Sequence, residues 1–270
     1  MFAPPPGSDR AAWLKGPPFT CSVDPPKSEH PWRLILLGPP GVGKGTQAEL
    51  LTGYLQACHL STGDVFRAAK HLDHCQASPA MAQALESMRH GKLVSDDLVL
   101  AMVAERSGCL RCRGGFILDG FPRTVKQAAD FETLLIALRV TLDAVISYEL
   151  SLEATVQRSA GRLTCPRCHA VYHRDSKPPE RQGLCDACGA EVIQREDDRP
   201  EAVRTRLHEY SNVTEPLAAY YRQRGLLVPV AAEAAPDEIF QRTVQLLEAR
   251  RRHVARPTAT TSDAAKPGCP

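Results

Sequence analysis

Arg33-Leu-Ile-Leu-Leu-Gly-Pro-Pro-Gly-Val-Gly-Lys-Gly-Thr46 decides how this chain is read. Leu34–Leu37 is a short apolar run fit for a buried strand; Gly38, Gly41 and Gly43 follow at once, and from Lys44 to Ala57 the pattern turns helical. Glycines let successive backbone N–H groups turn inward around phosphate oxygens, while the helix that begins at the end of the loop points its positive terminus at them. A lysine at the position of Lys44 reaches the phosphate being transferred. Gly41, Val42, Gly43, Lys44, Gly45 and Thr46 are therefore candidate contacts to a nucleoside triphosphate. A merely flexible glycine-rich turn would leave the strand before it and the helix after it unexplained. In the usual form of such a loop, Ser or Thr directly after the lysine binds Mg²⁺. Here that place is Gly45 and the hydroxyl comes one later, at Thr46. The shift predicts looser, water-mediated metal binding, suited to a nucleotide released as product, and argues against a motor or a GTPase switch.

Outward from this stretch, strands and helices alternate. Gly115–Asp119, Asp143–Tyr148 and Gly225–Val230 are further strand candidates, and Asp96–Arg106, Val125–Leu138, Leu152–Ala160, Pro200–Arg222 and Asp237–Arg252 carry helical periodicity. That order predicts an α/β fold: a parallel sheet with helices on both faces. Thr62–Arg89, helical and without a strand candidate, and Thr164–Arg195, with four cysteines, break the alternation and read as insertions. Residues 1–31 are proline-rich and 255–270 polar and small-residue-rich, so both are expected to be disordered extensions.

The 270 residues are 43% hydrophobic and 24% charged, an ordinary globular mix. A net charge of +2 argues against a protein that coats nucleic acid. No apolar run approaches the ~20 residues of a membrane helix, and the head lacks an apolar signal core. A cytoplasmic location, with no membrane or nucleic-acid partner, is expected.

Of the ten cysteines, six form three Cys-x-x-Cys pairs. Cys165, Cys168, Cys185 and Cys188 make C-x₂-C-x₁₆-C-x₂-C, the spacing of a structural zinc site that pins a small β-ribbon; paired disulfides or bare thiols are the other readings. Four thiolates leave no open position for water, so such a metal would be structural. Cys109 and Cys112 lack a second pair and sit in a polar connection. Asp119 ends a buried strand, where an ionised carboxylate needs a partner: Mg²⁺ held through water, or the next turn, which it could cap.

Three further strings complete a pattern: Leu60-Ser-Thr-Gly-Asp64 with Arg67; Phe116-Ile-Leu-Asp-Gly-Phe-Pro-Arg123 with Gln127; and Arg195-Glu-Asp-Asp198 before Val203-Arg-Thr-Arg206-Leu. In this order and spacing the chain resembles the adenylate kinases, nucleoside monophosphate kinases, in their long-lid, zinc-binding bacterial form, from about Arg33 to Arg252. The resemblance implies a P-loop three-layer α/β/α core with a helical monophosphate-binding insertion and a small zinc-ribbon-like lid. It divides the chain into core at 32–60, 95–161 and 199–254, a monophosphate-binding insertion at 61–94 and a lid at 162–198.

The implied reaction is ATP + AMP ⇌ 2 ADP by direct in-line transfer, with Mg²⁺ accompanying ATP, structural Zn²⁺ in the lid, and the enzyme working as a monomer in adenine-nucleotide homeostasis. Lys44, Arg123, Arg162, Arg195 and Arg206 would be catalytic, with Arg158, Arg162, Val171 and Tyr172 on ATP beside the loop. Thr62, Arg67, Lys92, Leu93, Val94, Gly120, Phe121, Pro122, Arg123, Gln127, Arg195 and Arg206 would contact AMP. Where the family has a Val-Asp-Gly-like segment against the donor base, this chain reads Val230-Ala-Ala-Glu233-Ala234, which leaves a GTP-dependent AMP kinase as the nearest rival. An ATPase serving a partner protein and a zinc-ribbon nucleic-acid module are the readings from other classes.

Overall fold

The computed structural model describes residues 31–69, 79–90, 94–105, 107–112, 114–168, 170–195 and 198–254. In chain order these form β1 (Arg33–Leu37), α1 (Lys44–Leu55), β2 (Cys58–Ser61), α2 (Thr62–Ala69), α3 (Pro79–Arg89), α4 (Asp96–Ala104) and α5 (Ser107–Leu110). Then come β3 (Phe116–Asp119), α6 (Val125–Ala137), β4 (Ala144–Glu149), α7 (Leu152–Ala160), β5 (Arg162–Thr164), β6 (Val171–His173), α8 (Pro200–Glu209), α9 (Pro216–Gln223), β7 (Leu227–Ala231) and α10 (Pro236–Val254). The expectations of disordered ends at 1–31 and 255–270 fall, Pro31 aside, outside the described residues, as do Lys92, Leu93 and the side chain of Arg67.

Five strands lie in the order β2-β3-β1-β4-β7, every neighbouring pair parallel. Strands buried on both sides divide their side chains between two cores. Ile35 and Leu37 of β1, Phe116 and Leu118 of β3 and Val145 of β4 pack with residues of α4, α6 and α9. Leu34 and Leu36, Ile117, Ala144 and Ile146 pack on the other face with residues of α1 and α10. The two-residue period of each strand thus explains why the runs are continuously apolar rather than alternating. The result is the α/β sheet, helices on both faces, that the sequence predicts.

Register sets the site. Ser61 pairs with Asp119 and Asp119 with Leu36, so the Ser-Thr-Gly-Asp string, the Asp-Gly-Phe-Pro-Arg string and the glycine loop leave the sheet side by side. Ligands of open parallel sheets bind beyond such carboxyl ends.

The structure adds β2, a strand that the sequence reading passes over, because Cys58-His-Leu-Ser61 is short and half polar; its identity comes from lying against β3. It also divides the single helix expected over Pro200–Arg222. Pro216 has no N–H to continue the ladder, and Tyr210–Thr214 widens into a π-helical turn in which Glu215 N donates to Tyr210 O at 2.8 Å. Cys109, read as part of a polar connection, belongs to the short helix α5.

One glycine is fixed by close approach. Gly115 has φ +77°, and a Cβ there would lie 2.0 Å from the carbonyl oxygen of Trp32, where Phe116 enters the sheet by donating to that same oxygen. Gly115→Ala is expected to cost at least about 2 kcal/mol, strain and overlap combined. Gly53, inside α1 with open space around it, should instead gain about 0.5–1 kcal/mol on conversion to Ala. Urea unfolding of the two variants checks the opposite signs.

Candidate active site

The loop after β1 owes its shape to packing below and leaves its upper side open. A Cβ on Gly38 would come within 2.7 Å of Tyr148 O, and one on Gly41 within 2.1 Å of Ser159 Oγ, so neither place tolerates a side chain. Gly43, with φ +103°, starts α1 and meets nothing within 4 Å, nor does Gly45. No side chain caps α1 and its first turn holds no acidic residue, whereas α4, α6 and α7 are capped by Ser95, Thr124 and Ser151. The N–H groups at this terminus are thus left to bind an incoming anion. Val42 is buried, and Thr46 lies half-buried in the first turn of α1.

Lys44 folds back over the loop, its Nζ donating to Gly38 O at 2.7 Å and Pro39 O at 2.9 Å. Burial pulls its pKa down to about 8; Asp119 opposes this, while Arg206, Arg123 and Arg162 push the same way. Four cationic side chains from four separate segments therefore share one electrostatic neighbourhood. A phosphate chain entering it would restore the charge of Lys44. Asp119, at the end of β3, has its carboxylate 15% exposed and its Oδ2 3.8 Å from Nε2 of the buried His59 side chain.

Asp198, fully buried, organises the arginines. Arg162 Nε donates to its Oδ2 at 2.7 Å, Arg162 Nη2 pairs with its Oδ1, and Arg206 Nη1 stands 3.9 Å from that oxygen. Its backbone N–H donates to Arg195 O at 3.1 Å, which fixes the turn carrying the half-buried Arg195. Arg158 spans the donor side, Nη1 at 3.5 Å from Val42 O and Nη2 at 3.2 Å from Ala234 O.

On the other flank, Thr62 Oγ1 donates to Gly120 O at 2.9 Å, and Arg123 Nε donates to the same oxygen at 2.9 Å. Gly120 has φ +82°, and a Cβ there would sit 2.8 Å from Thr62 Oγ1. Phe121 turns inward to an edge contact with Phe131 and Pro122 is buried beside it, so both can meet a ligand only through backbone. Val94 is half-buried against the same core. Gln127 Oε1 accepts from Arg123 N at 2.7 Å, and Gln127 Nε2 donates to Asp96 Oδ1 at 2.6 Å.

Beyond β5 the four cysteines converge, their Sγ atoms all within 4.8 Å of one another. Separations of 3.4 Å for Cys165–Cys188 and 3.4 Å for Cys168–Cys185 are far longer than a disulfide of about 2.05 Å and close to the edge of about 3.8 Å in a tetrahedron of Zn–S bonds near 2.3 Å. Burial would raise the Cys185 thiol, but hydrogen bonds from the Tyr172 hydroxyl, Cys168 and backbone N–H groups outweigh it and draw the pKa down to about 6, favouring the thiolate a metal needs. The donor set fits zinc. Tyr172 is engaged by this cluster, its hydroxyl 3.3 Å from Cys185 Sγ and accepting from Asp186 N at 2.9 Å; the half-buried Val171 lies on the same ribbon.

Three residues here have no role assigned from the sequence: Asp96, Asp198 and His59. Acidic residues beside other acidic residues give no local sign of which one is buried, and His59 lies in the strand that was overlooked.

A sequence profile for the family described as Adenylate kinase matches residues 36–226. An adenylate kinase of Anaeromyxobacter dehalogenans, strain 2CP-1, is 48% identical over 215 residues, covering 79% of this chain and 98% of that protein. Adenylate kinases of Carboxydothermus hydrogenoformans (44% identical, 77% of this chain and 95% of that one) and Symbiobacterium thermophilum (44%, 81% and 98%) are similarly related.

The low pKa of Lys44 has a consequence for stability. From about pH 8 to the ordinary lysine value near 10.4, the unfolded chain binds a proton that the folded chain has released, so stability rises with pH through that window. Urea midpoints measured at pH 7.5 and 10 should show the nucleotide-free protein gaining relative to Lys44→Met. Parallel pH dependences would show that the lysine is not perturbed.

Proposed function

Because the chain belongs to the adenylate kinase family, we propose that Lys44, Arg123, Arg162, Arg195 and Arg206 form the cage through which it passes one phosphoryl group from ATP to AMP, giving two ADP. The enzyme is a nucleoside monophosphate kinase, and neither a GTP-dependent reaction nor an ATPase coupled to a partner is favoured. What supports the cage most directly is the crowding of three guanidinium groups on one half-buried lysine. Cations so placed repel one another until a polyanion joins them.

Phosphoryl transfer through a loose transition state asks for alignment and neutralisation rather than a nucleophile on the protein. In this reading the loop from Gly41 to Thr46 seats the donor phosphates on the N–H groups of α1, and Lys44 follows the phosphoryl group in flight. Arg158, spanning Val42 and Ala234, lies against the donor base, and Val171 contacts the donor from the ribbon. Arg67 and Arg123 hold the acceptor phosphate in two-point geometry. Thr62, Gln127, the backbone of Gly120, Phe121 and Pro122, and the segment Lys92-Leu-Val94 hold the acceptor base. Mg²⁺, which adenylate kinases use with ATP, would be held through water by Asp119 and Thr46, and it supplies charge neutralisation on the phosphates.

Residues 61–94 and 162–198 are the two parts that close over acceptor and donor, keeping water from taking the phosphoryl group in place of AMP. The Arg162–Asp198 pair ties the start of the second part to its end, and Arg206 beside it places α8 on the same hinge. The four-cysteine cluster, with zinc, does there what a core of Tyr172, Val192 and few other buried side chains cannot do alone. We read the enzyme as a cytoplasmic monomer with no nucleic-acid partner, in keeping with its near-neutral charge; among the described residues no helix is long and apolar enough to cross a membrane.

With ATP present, ADP should form only when AMP is added; AMP-independent release would mark an ATPase. Lys44→Ala is expected to lower kcat about 10²–10³-fold, the scale of one lost charge-stabilising donor. Cys165→Ser should remove zinc, measured by elemental analysis at about one equivalent in the parent, and lower the unfolding temperature while leaving the loop intact. Full zinc content in that variant would contradict the four-thiolate site.

A further inference from the structure

We propose that Asp96 makes the acceptor site read adenine, by fixing which way round the amide of Gln127 stands. The inference rests on the reading of Gln127 as a contact to the acceptor base, and adds the residue that gives that contact its sign.

Gln127 is only 5% exposed, and both ends of its amide are already engaged. Nε2 donates to Asp96 Oδ1 at 2.6 Å, and Oε1 accepts from Arg123 N at 2.7 Å. The second oxygen of Asp96 accepts from Thr124 Oγ1 at 2.9 Å, and that hydroxyl accepts in turn from Gln127 N at 3.0 Å as the cap of α6. Asp96 begins α4, yet the cap of that helix is Ser95, whose hydroxyl serves Leu98 N, so neither Asp96 oxygen is needed by its own helix. Both are turned across to the start of α6, 28 and 31 residues further along the chain.

The orientation has one chemical solution. An ionised carboxylate only accepts and a backbone N–H only donates. Turning the amide over would set oxygen against the carboxylate and NH₂ against the N–H, two repulsive contacts in a buried place. One N–H and one oxygen lone pair of Gln127 remain for a ligand. Adenine offers an amino donor beside a ring-nitrogen acceptor, which such a pair satisfies. Hypoxanthine and guanine offer the reverse at the same edge, a carbonyl acceptor beside a ring N–H donor. An amide free to turn over would serve either kind of base; an amide pinned at both ends serves one. Asp96 is thus a positioning residue whose effect is selectivity.

The test is the ratio of kcat/KM for AMP to that for inosine monophosphate, with ATP as donor. Asparagine is the isostere of aspartate and can present either a donor or an acceptor, so Asp96→Asn, which frees one end of the amide while Arg123 N–H still holds the other, should lower this ratio about three- to tenfold. The change should lie mainly in a lower KM for inosine monophosphate, with KM for ATP and kcat at saturating AMP within about twofold of the parent. Asp96→Glu, still acceptor-only, should retain more of the selectivity than Asp96→Asn. Thermal unfolding identifies a variant that fails to fold, and Asp96→Ser, whose hydroxyl also serves either orientation, then makes the same measurement. Gln127→Ala separates the two layers. If it loses selectivity while folded Asp96→Asn keeps the parental ratio, Asp96 has no such role and Gln127 still reads the base. If Gln127→Ala itself keeps the parental ratio, the reading of Gln127 falls, and the role of Asp96 with it.

Discussion

Like charges gathered at one edge of a sheet are the constraint around which this molecule is arranged. Burial above all, and after it Arg206, Arg123 and Arg162, act on Lys44, and in the absence of phosphate the lysine answers by giving up affinity for its proton. Holding cations so close requires rigid supports, and a parallel sheet provides them: the glycine loop, Ser61 and Asp119 emerge from adjacent strands in fixed register. The tight packing of Gly38 and Gly41 against β4 and α7 keeps the loop from relaxing away from the charge.

Carboxylates do the complementary work, and each does something different. Asp198, buried, holds Arg162 by two bonds with Arg206 alongside, so arginines from either side of the cysteine-bearing ribbon meet on one anion. Asp119 acts on Lys44 in the sense opposite to the arginines. The oxygens of Asp96 orient an amide and a hydroxyl. Orientation by a buried acceptor costs little only where its lone pairs are used, and the polar chain Asp96–Thr124–Gln127–Arg123 meets that condition.

Much of this was legible beforehand, for local reasons. Leu34–Leu37 could only be a buried strand, the glycines after it demanded a turn, and α7 begins and ends where its periodicity does. The four cysteines announced themselves by spacing alone. What escaped depends on partners distant in sequence. β2 is a strand because β3 lies beside it, and the π-helical turn at Tyr210–Thr214 arises from Pro216 within an otherwise regular helical pattern. Nothing in Arg195-Glu-Asp-Asp198 says which acid will be buried, and nothing in Ser95-Asp-Asp97 says that one carboxylate will reach Gln127. Tyr172 also turns its hydroxyl to the cysteine cluster, a hydrogen bond that spacing could not foretell.

Proton uptake on ligand binding tests the electrostatic core of this picture most directly. Titration calorimetry near pH 8.5, in buffers of different ionisation enthalpy, can follow the binding of a bis-adenosine pentaphosphate whose own phosphates are already fully ionised. If the cations are held together as described, about three quarters of a proton is taken up as Lys44 regains its charge, and Lys44→Arg binds without that uptake. Binding by the parent protein with no proton taken up would contradict it.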